Sequence, residues 1–270
     1  MAELFNATSL RSSEFERYSR QIMLSDWGEA GQIKLKNSKV AIVGCGGLGN
    51  VAASYLAGAG VGHLTLIDGD DVELSNLHRQ LAFDIDSCDL NKADELCQRL
   101  FSQNDEIDIH IEPLDLDHDC IDELLTNHDL VLDCSDNFNT RRLVNGWCVK
   151  QKMPLLSASV IGWQGQLLLV ESDGNGQHGC YQCLFGASNT EQESAGNCNS
   201  LGVNPAMVGV VGSYQANGAL QFLLGKSSPL ASHITLIDGL SFSVNQFIRA
   251  ADPSCSVCNT VCSMSELEHE

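Results

Sequence analysis

Apolar residues follow two different spacings along the first 150 positions of the chain. KVAIV, HLTLI and DLVLD are short apolar runs, whereas NKADELCQRLFSQN has apolar residues at positions 93, 96, 97, 100 and 101. Short apolar runs are typical of buried strands, and spacings of three and four residues predict one face of a helix. Strands that alternate with helices favour a parallel sheet with right-handed crossovers. We therefore predict an α/β fold with a Rossmann-like, mainly parallel central sheet over residues 14–150.

The pattern changes after residue 150, although we expect both parts to belong to one domain. PLLSASVIGWQGQLLLV indicates two strands, and the stretch after residue 171 is polar and glycine-rich, which favours loops. A long apolar helix, AMVGVVGSYQANGALQFLLG, follows, and HITLIDG and FSVNQFIRA predict a closing pair of strands. Residues 151–262 are thus predicted to form a mixed or antiparallel C-terminal portion.

The charge of the chain excludes some classes of partner. Its 35 acidic and 15 basic residues give a formal net charge of −20. Binding to nucleic acid or to an anionic membrane needs a basic surface, so we expect neither partner. No segment reaches about 18 uninterrupted apolar residues, and the N-terminus lacks the basic start and apolar stretch of a signal peptide. We therefore expect a cytoplasmic protein, in which 12 cysteines do not form a disulfide framework.

A glycine-rich turn follows the first predicted strand and opens a helix. Gly44, Gly46 and Gly49 form the pattern G-x-G-x-x-G, and we assign the adjacent Gly47 to the same cofactor-binding loop. Without Cβ atoms the backbone can approach a phosphate, which the free N–H groups of the helix N-terminus attract. Asp68 ends the next strand, where a carboxylate can accept hydrogen bonds from ribose hydroxyls. This pattern predicts a nucleotide but does not separate ATP from the NAD of an oxidoreductase.

The residues after Asp68 favour ATP. Asn76, Arg79 and Gln80 lie within DGDDVELSNLHRQ, and Lys92 opens the following helix. An ATP that loses pyrophosphate needs cations at the leaving group, whereas an NAD-dependent oxidoreductase would leave these cations without a role. Asp136, in LDCSDN at the end of a later strand, could hold Mg²⁺ together with phosphate oxygens.

Five segments carry a family resemblance: RYSRQI, VGCGGLG, GVGHLTLIDGDDVELSNLHRQ, LDCSDN and GQL. In this order, over about residues 14–258, they resemble the ThiF/MoeB/HesA family, whose members are bacterial relatives of ubiquitin-activating enzymes. The resemblance implies an adenylyltransferase acting on the C-terminal glycine carboxylate of a ubiquitin-like sulfur-carrier protein that ends in Gly-Gly. It implies the following roles: ribose binding by Asp68, phosphate binding by Asn76, Arg79, Gln80 and Lys92, and magnesium binding by Asp136.

The resemblance also implies a homodimer in which Arg20 reaches the ATP site of the partner subunit, with Arg17 as a weaker candidate. In the implied reaction the carrier carboxylate attacks the α-phosphorus in line. Arg20, Arg79, Lys92 and Mg²⁺ then stabilise the charge that moves onto pyrophosphate.

The branch of the family affects which carrier is expected. LIDGDDVELSNL and ASVIGWQGQL look closer to the thiamin-biosynthesis branch, represented by ThiF, than to the molybdopterin branch, represented by MoeB. We therefore expect a ThiS-like carrier, with a MoaD-like carrier as the alternative. A non-catalytic scaffold for a ubiquitin-like partner would require the acids and cations of the ATP site to be missing.

Two CxxC pairs, Cys180 with Cys183 and Cys255 with Cys258, predict a metal site. Each pair can direct two sulfurs at one point, and two pairs make a tetrahedral Cys₄ zinc site. A redox CxxC is the rival interpretation, but it normally opens a helix in a thioredoxin-like unit. Four thiolates leave no open coordination position, so the predicted zinc is structural. Cys262 is a spare cysteine or an alternative ligand.

Cys198, in the polar segment GNCNSLGV, is a candidate nucleophile. A loop thiol close to an acyl adenylate could attack it. The resemblance implies a covalent link to the carrier in the thiamin branch and no need for this cysteine in the molybdopterin branch. A loop cysteine without an essential role also stays open. Because 12 residues follow Cys258, we expect a separate sulfur-donor protein rather than an appended rhodanese-like domain.

Overall fold

An eight-stranded sheet organises the computed structural model, which describes residues 7–171, 178–186 and 202–259. The strands are β1 Lys39–Val43, β2 His63–Ile67, β3 Asp108–Glu112, β4 Leu130–Asp133, β5 Leu155–Ile161, β6 Gln164–Val170, β7 His233–Asp238 and β8 Ser243–Ile248. The helices are α1 Ser12–Arg17, α2 Ser19–Ile22, α3 Gly28–Lys36, α4 Gly47–Ala59, α5 Lys92–Gln103, α6 Ile121–Leu125, α7 Phe138–Gln151, α8 Tyr181–Phe185 and α9 Pro205–Leu223.

The order of the strands is β3-β2-β1-β4-β5-β6-β7-β8. The first five are parallel, and the pairs β5–β6, β6–β7 and β7–β8 are antiparallel. The direction changes because only two residues, at positions 162 and 163, join β5 to β6, which is the connection of a hairpin rather than a crossover. The predicted fold class is therefore confirmed.

Helices cover both faces of the sheet. On one face α4, α5 and α9 bury Leu56, Leu96 and Val211, while on the other face α6 and α7 bury Leu125 and Val144. Strands covered on both sides have few polar positions, which explains the apolar runs in the sequence. Helix α9 packs along α4, so the long apolar helix predicted after residue 204 is confirmed. None of the helices in the described ranges is long and apolar enough to cross a membrane.

Buried polar contacts fix the N-terminal helices to the domain. One of these helices, α3, was not predicted from the sequence pattern. Asn104 donates a hydrogen bond over 2.9 Å to the hydroxyl of Tyr18, and Lys36 forms an ion pair of 2.7 Å with Glu14. Both Tyr18 and Glu14 are buried. Burial alone would raise the pKa of Glu14, but hydrogen bonds from Arg11 and Lys36 hold it below its ordinary value. The segment that carries Arg20 is thus anchored immediately upstream of this arginine.

Candidate active site and metal centre

A cleft of about 1290 Å³ opens where β1, β2 and β4 end. The chain leaves β1 through α4 on one face of the sheet and leaves β4 through α7 on the other face. Such a point, where the strand order reverses, is where open α/β sheets bind ligands. The cleft is lined by eight of the predicted site residues: Gly44, Gly46, Gly47, Asp68, Asn76, Arg79, Gln80 and Lys92, and also by the predicted magnesium ligand Asp136.

The glycines of the loop differ in role: some line the cleft, and one allows close packing of the helix. Gly44 has φ +95°, a left-handed conformation that side chains rarely adopt, and Gly46 caps the N-terminus of α4. Gly49 does not line the cleft: a Cβ there would lie 1.9 Å from the carbonyl oxygen of Gly44. Gly49 therefore lets the first turn of α4 pack against the loop, and its part in cofactor binding stays a prediction.

Asp68 joins the glycine loop to the end of β2. Its carboxylate accepts hydrogen bonds from the backbone N–H of Cys45, over 2.6 Å, and of Asp70, over 2.9 Å. Burial raises the pKa of Asp68, and the two hydrogen bonds oppose that shift. The carboxylate is held in place at the cleft, where it can accept hydrogen bonds from a ribose.

Arg79 and Gln80 present polar atoms to the cleft. Arg79 donates a hydrogen bond over 3.0 Å to the carbonyl oxygen of Ser75, and no carboxylate in the described ranges pairs with it. Gln80 is only 3% exposed, yet its Oε1 accepts no hydrogen bond from any residue that the structure describes. Nearby Asn76 is also buried and accepts a long hydrogen bond from the backbone of Glu73.

Lys92 has a partner that the sequence analysis missed. Its ammonium lies 2.7 Å from Oδ2 of Asp70, and its backbone N–H donates to the carbonyl oxygen of the same residue. Asp70 follows Asp68 by two positions, but nothing in the sequence pattern distinguished it from the other acids of DGDDVE. Lys92 is therefore directed into the cleft by an acid on the β2 loop.

Asp136 stands on the loop between β4 and α7, above a buried ion pair that was also missed. Asp136 itself is exposed, whereas Asp133 is 1% exposed and binds Arg141 over 3.3 Å. Ser135 and Ser157 each donate a hydroxyl hydrogen bond of 2.6 Å to the Asp133 carboxylate. An acid at a buried strand end followed eight residues later by an arginine is the one signal that could have pointed to this pair.

The cleft is rich in negative charge. Of the basic side chains that line it, Lys92 and Arg141 are already paired with acids. The acidic lining residues are Asp68, Asp70, Asp71, Glu73, Asp89, Asp115 and Asp136. A triphosphate would enter against this excess, so its charge must be offset by a bound cation or by basic groups from outside the cleft.

Neither Arg20 nor the weaker candidate Arg17 lines this cleft. Arg20 is exposed on α2 and does not line it, and Arg17 is occupied by the carbonyl oxygen of Gln103 and the carboxylate of Asp105. Cys198 and the spare Cys262 lie outside the described residues. The role of Arg20 across a dimer and the role of Cys198 stay predictions.

The four cysteines of the two CxxC pairs converge. Their sulfur atoms all lie within 4.8 Å of one another, with Cys180 and Cys255 3.8 Å apart and Cys183 and Cys258 3.3 Å apart. Four sulfurs around zinc at about 2.3 Å would be about 3.8 Å apart, so the cluster fits a tetrahedral ion. Cys180 does begin the short helix α8, as a redox cysteine would, but the approach of the second pair favours a metal site.

The surroundings of the cluster are buried and polar. Asn145 of α7 donates to the sulfur of Cys180 over 3.5 Å and accepts a hydrogen bond from the backbone of Tyr181. Burial raises the pKa of Cys180 to about 11, so a bound cation is what would ionise this thiol at neutral pH. Burial also lowers the pKa of the nearby Arg249 to about 10, while Cys180 and Cys183 act in the opposite direction.

Comparison with known proteins agrees with this arrangement. The profile of the ThiF family matches residues 18–257. Adenylyltransferase and sulfurtransferase MOCS3-1 of Drosophila pseudoobscura pseudoobscura is 40% identical over 261 residues, covering 96% of this chain and 57% of that protein. MOCS3 of Aedes aegypti is 40% identical over 259 residues, covering 96% and 58%. The chain thus spans a little over half the length of the curated relatives that it matches.

Solved structures of Escherichia coli MccB share the fold. MccB with MccA-N7isoASN has a TM-score of 0.78 at 28% identity, and MccB with ATP has a TM-score of 0.76 at 28% identity. Each comparison covers 90% of this chain and 74% of the other. The MOCS3 relatives do not support the expected thiamin branch and fit the molybdopterin-branch alternative better. The family itself is not in question, and this chain belongs to the ThiF family.

Proposed function

We propose that this protein is an ATP-dependent adenylyltransferase that activates the C-terminal carboxylate of a ubiquitin-like sulfur carrier of the molybdopterin, MoaD-like type. One observation carries the proposal: a single cleft gathers the glycine loop, Asp68, Arg79, Lys92 and Asp136, the residues predicted to bind ATP and its Mg²⁺. The MOCS3 relatives favour the molybdopterin type of carrier. The acyl adenylate would then receive sulfur from a donor.

The geometry supports a direct displacement at the α-phosphorus. The glycine loop and the N-terminus of α4 bind phosphate, and Asp68 holds the ribose. The carrier carboxylate is already ionised, so it attacks without a general base, and the bond to pyrophosphate breaks. Arg79 and Lys92 stabilise the leaving charge, and Lys92 has three donors, so it can bind a phosphate oxygen while keeping Asp70. Mg²⁺ at Asp136 would neutralise further charge on the phosphates.

The test is ATP–pyrophosphate exchange with purified protein and two carriers, one of the molybdopterin type and one of the thiamin type, each ending in Gly-Gly. Exchange with the molybdopterin carrier alone is the expected result. Exchange with the thiamin carrier alone would leave adenylation in place and reverse the choice of carrier. ATP binding without exchange with either carrier would favour a scaffold, and absence of ATP binding would contradict the proposed use of the cleft.

We further propose that the active unit is a homodimer in which Arg20 of the partner subunit completes each cleft. The acidic excess of the cleft supports this arrangement. The position of Arg20 also supports it, because the side chain makes no hydrogen bond or ion pair within the described part of its own chain. Arg20→Ala and Asp136→Ala are each expected to lose exchange activity. Mixing the two variants after dissociation should restore about a quarter of the wild-type sites, since each mixed dimer has one intact cleft.

The control for this mixing experiment is Arg17→Ala. Arg17 binds Gln103 and Asp105 of its own chain, so this variant should keep most of its activity and should not complement Asp136→Ala beyond its own contribution. A mixture of Arg20→Ala and Asp136→Ala that stays inactive, although mixed dimers are shown to form, would place Arg20 outside the partner's cleft.

We propose that the thiol cluster holds a structural Zn²⁺. Its four sulfurs join α8 to the segment after β8, which are 75 residues apart in sequence at each sulfur contact. Chelator treatment should lower the unfolding temperature of the wild type by about 5–10 °C, since a loss of a few kcal/mol has this effect in a chain of this size. Cys255→Ser should unfold early and no longer respond to chelator. Cys120→Ser, which lies outside the cluster, should respond like the wild type.

A further inference from the structure

Arg249 is a buried cation without a buried anion to match it. It is 2% exposed, and no carboxylate in the described ranges forms an ion pair with it. Burial lowers the pKa of Arg249, and the exposed Glu171 acts against that shift, as do Cys180 and Cys183. A charge taken out of water is costly unless another charge or several hydrogen bonds compensate it. The position of Arg249 therefore needs an explanation beyond packing.

Its hydrogen bonds all go to neutral acceptors. One terminal nitrogen donates to the carbonyl oxygen of Gly179 over 3.0 Å, and the other donates to those of Leu169 and Ala231 over 2.5 and 2.7 Å. The Nε atom is buried and donates to nothing described. These contacts fix the orientation of the guanidinium group but leave its positive charge unmatched.

The guanidinium group binds the backbone next to the first cysteine pair of the thiol cluster. Its acceptor Gly179 directly precedes Cys180. Gly179 is so closely packed that an added Cβ would lie 2.8 Å from the carbonyl oxygen of Ala250 and 3.0 Å from Cβ of Cys183. The residues following Arg249 thus enclose the same turn from the other side. Through Gly179, the thiol cluster lies one residue along the chain from a hydrogen-bond acceptor of this cation.

We propose that Arg249 is the counter-cation of the metal centre, matched to a divalent ion held by four thiolates. Such a centre carries a net charge of −2, because four thiolates contribute −4 and the ion +2. A fixed positive charge beside an anionic centre favours retention of the ion, whereas loss of that charge favours its release. The inference rests on the proposed zinc site, and it assigns Arg249 a positioning and charge-balancing role, not a catalytic one.

The test separates the charge of Arg249 from its hydrogen bonds. Zinc affinity is measured by competition with a chelator of known affinity for the wild type, Arg249→Lys, Arg249→Gln and Arg99→Gln. Arg249→Gln should bind zinc about 10-fold to 100-fold more weakly, which is the usual range for residues that support metal ligands. Arg249→Lys keeps the charge but not the guanidinium fork, so its affinity should stay within about threefold of the wild type. Arg99→Gln removes one exposed charge on α5 and should have no effect.

A second measurement guards against simple misfolding. Unfolding of the metal-free proteins should show similar losses of stability for Arg249→Lys and Arg249→Gln, because both lose hydrogen bonds to the carbonyl oxygens. Equal zinc affinities for these two variants, or an affinity of Arg249→Gln equal to that of the wild type, would overturn the counter-cation role. A wild type that binds no zinc would overturn the zinc site and the role of Arg249 together, but it would leave the ATP–pyrophosphate exchange reaction unaffected.

Discussion

Asp136→Asn is expected to abolish ATP–pyrophosphate exchange while leaving the protein folded. The side chain is exposed at the cleft and makes no hydrogen bond to a described residue, so its loss removes little from the folded state. Its proposed work is to hold Mg²⁺ beside phosphates in a cleft that already has an acidic excess. Removing a single group that stabilises developing charge costs on the order of 10²- to 10³-fold in rate. The measurements are the exchange rate and the urea unfolding curve.

The contrast is Asp133→Asn, three residues earlier. Asp133 is buried and holds Arg141, Ser135 and Ser157, so this variant leaves a buried arginine without its counter-charge. Such a break costs about 3–5 kcal/mol of stability. The two substitutions make the same chemical change, yet one should reduce activity alone and the other should reduce stability first. Normal exchange by Asp136→Asn at ordinary Mg²⁺ concentrations would remove Asp136 from the proposed metal site.

Gly49→Ala should be among the most damaging single-methyl additions in this chain. The new Cβ would lie 1.9 Å from the oxygen and 2.9 Å from the carbonyl carbon of Gly44, both backbone atoms that cannot rotate away. Either α4 or the glycine loop must shift, at a cost of about 3 kcal/mol, the upper end of the usual range for overpacking, from a total stability of about 5–15 kcal/mol. Nucleotide binding should fall with stability, because the displaced loop is the one that would bind phosphate.

The matched control is Gly146→Ala in the middle of α7. Apart from its sequence neighbours and the backbone of its own helix, no described residue has an atom within 4 Å of the Cβ position there, and φ is ordinary. Alanine in a helix interior is favoured over glycine by about 0.5–1 kcal/mol, so this variant should be as stable as the wild type or slightly more stable. Urea unfolding and nucleotide binding measured for both variants decide the question. Unchanged values for Gly49→Ala would show that the loop tolerates displacement.

Sequence patterns predicted those features that depend on neighbouring residues. Strands and helices follow from local apolar spacing, and the ends of parallel strands lie at one edge of the sheet. Asp68 and Asp136, 68 positions apart, could therefore be placed in one cleft before the structure was known. The same argument applied to the glycine loop, which follows β1.

The missed features depend on side-chain packing between distant segments. The ion pair of Asp133 and Arg141 needs β4, α7 and β5 in their final places, since Ser157 completes it. Gln215 of α9 binds the backbone oxygen of Asp133 over 3.0 Å from 82 positions away. The proposed role of Arg20 is a third case, because the structure of one chain does not test a contribution to a partner subunit. The carrier preference came from two short stretches of resemblance, and the MOCS3 relatives fit the alternative carrier better.

Helix α7 connects the nucleotide cleft with the thiol cluster. Its N-terminal cap, Asn137, adjoins Asp136, and Asn145 two turns later touches the sulfur of Cys180. These positions are about 12 Å apart along one rigid axis. A spectroscopic probe or an amide hydrogen-exchange measurement on α7 would therefore respond to ligand binding at the cleft and to metal binding at the thiol cluster alike. Assigning such a signal to one site requires that the other be held constant, either saturated with ligand or disabled by substitution.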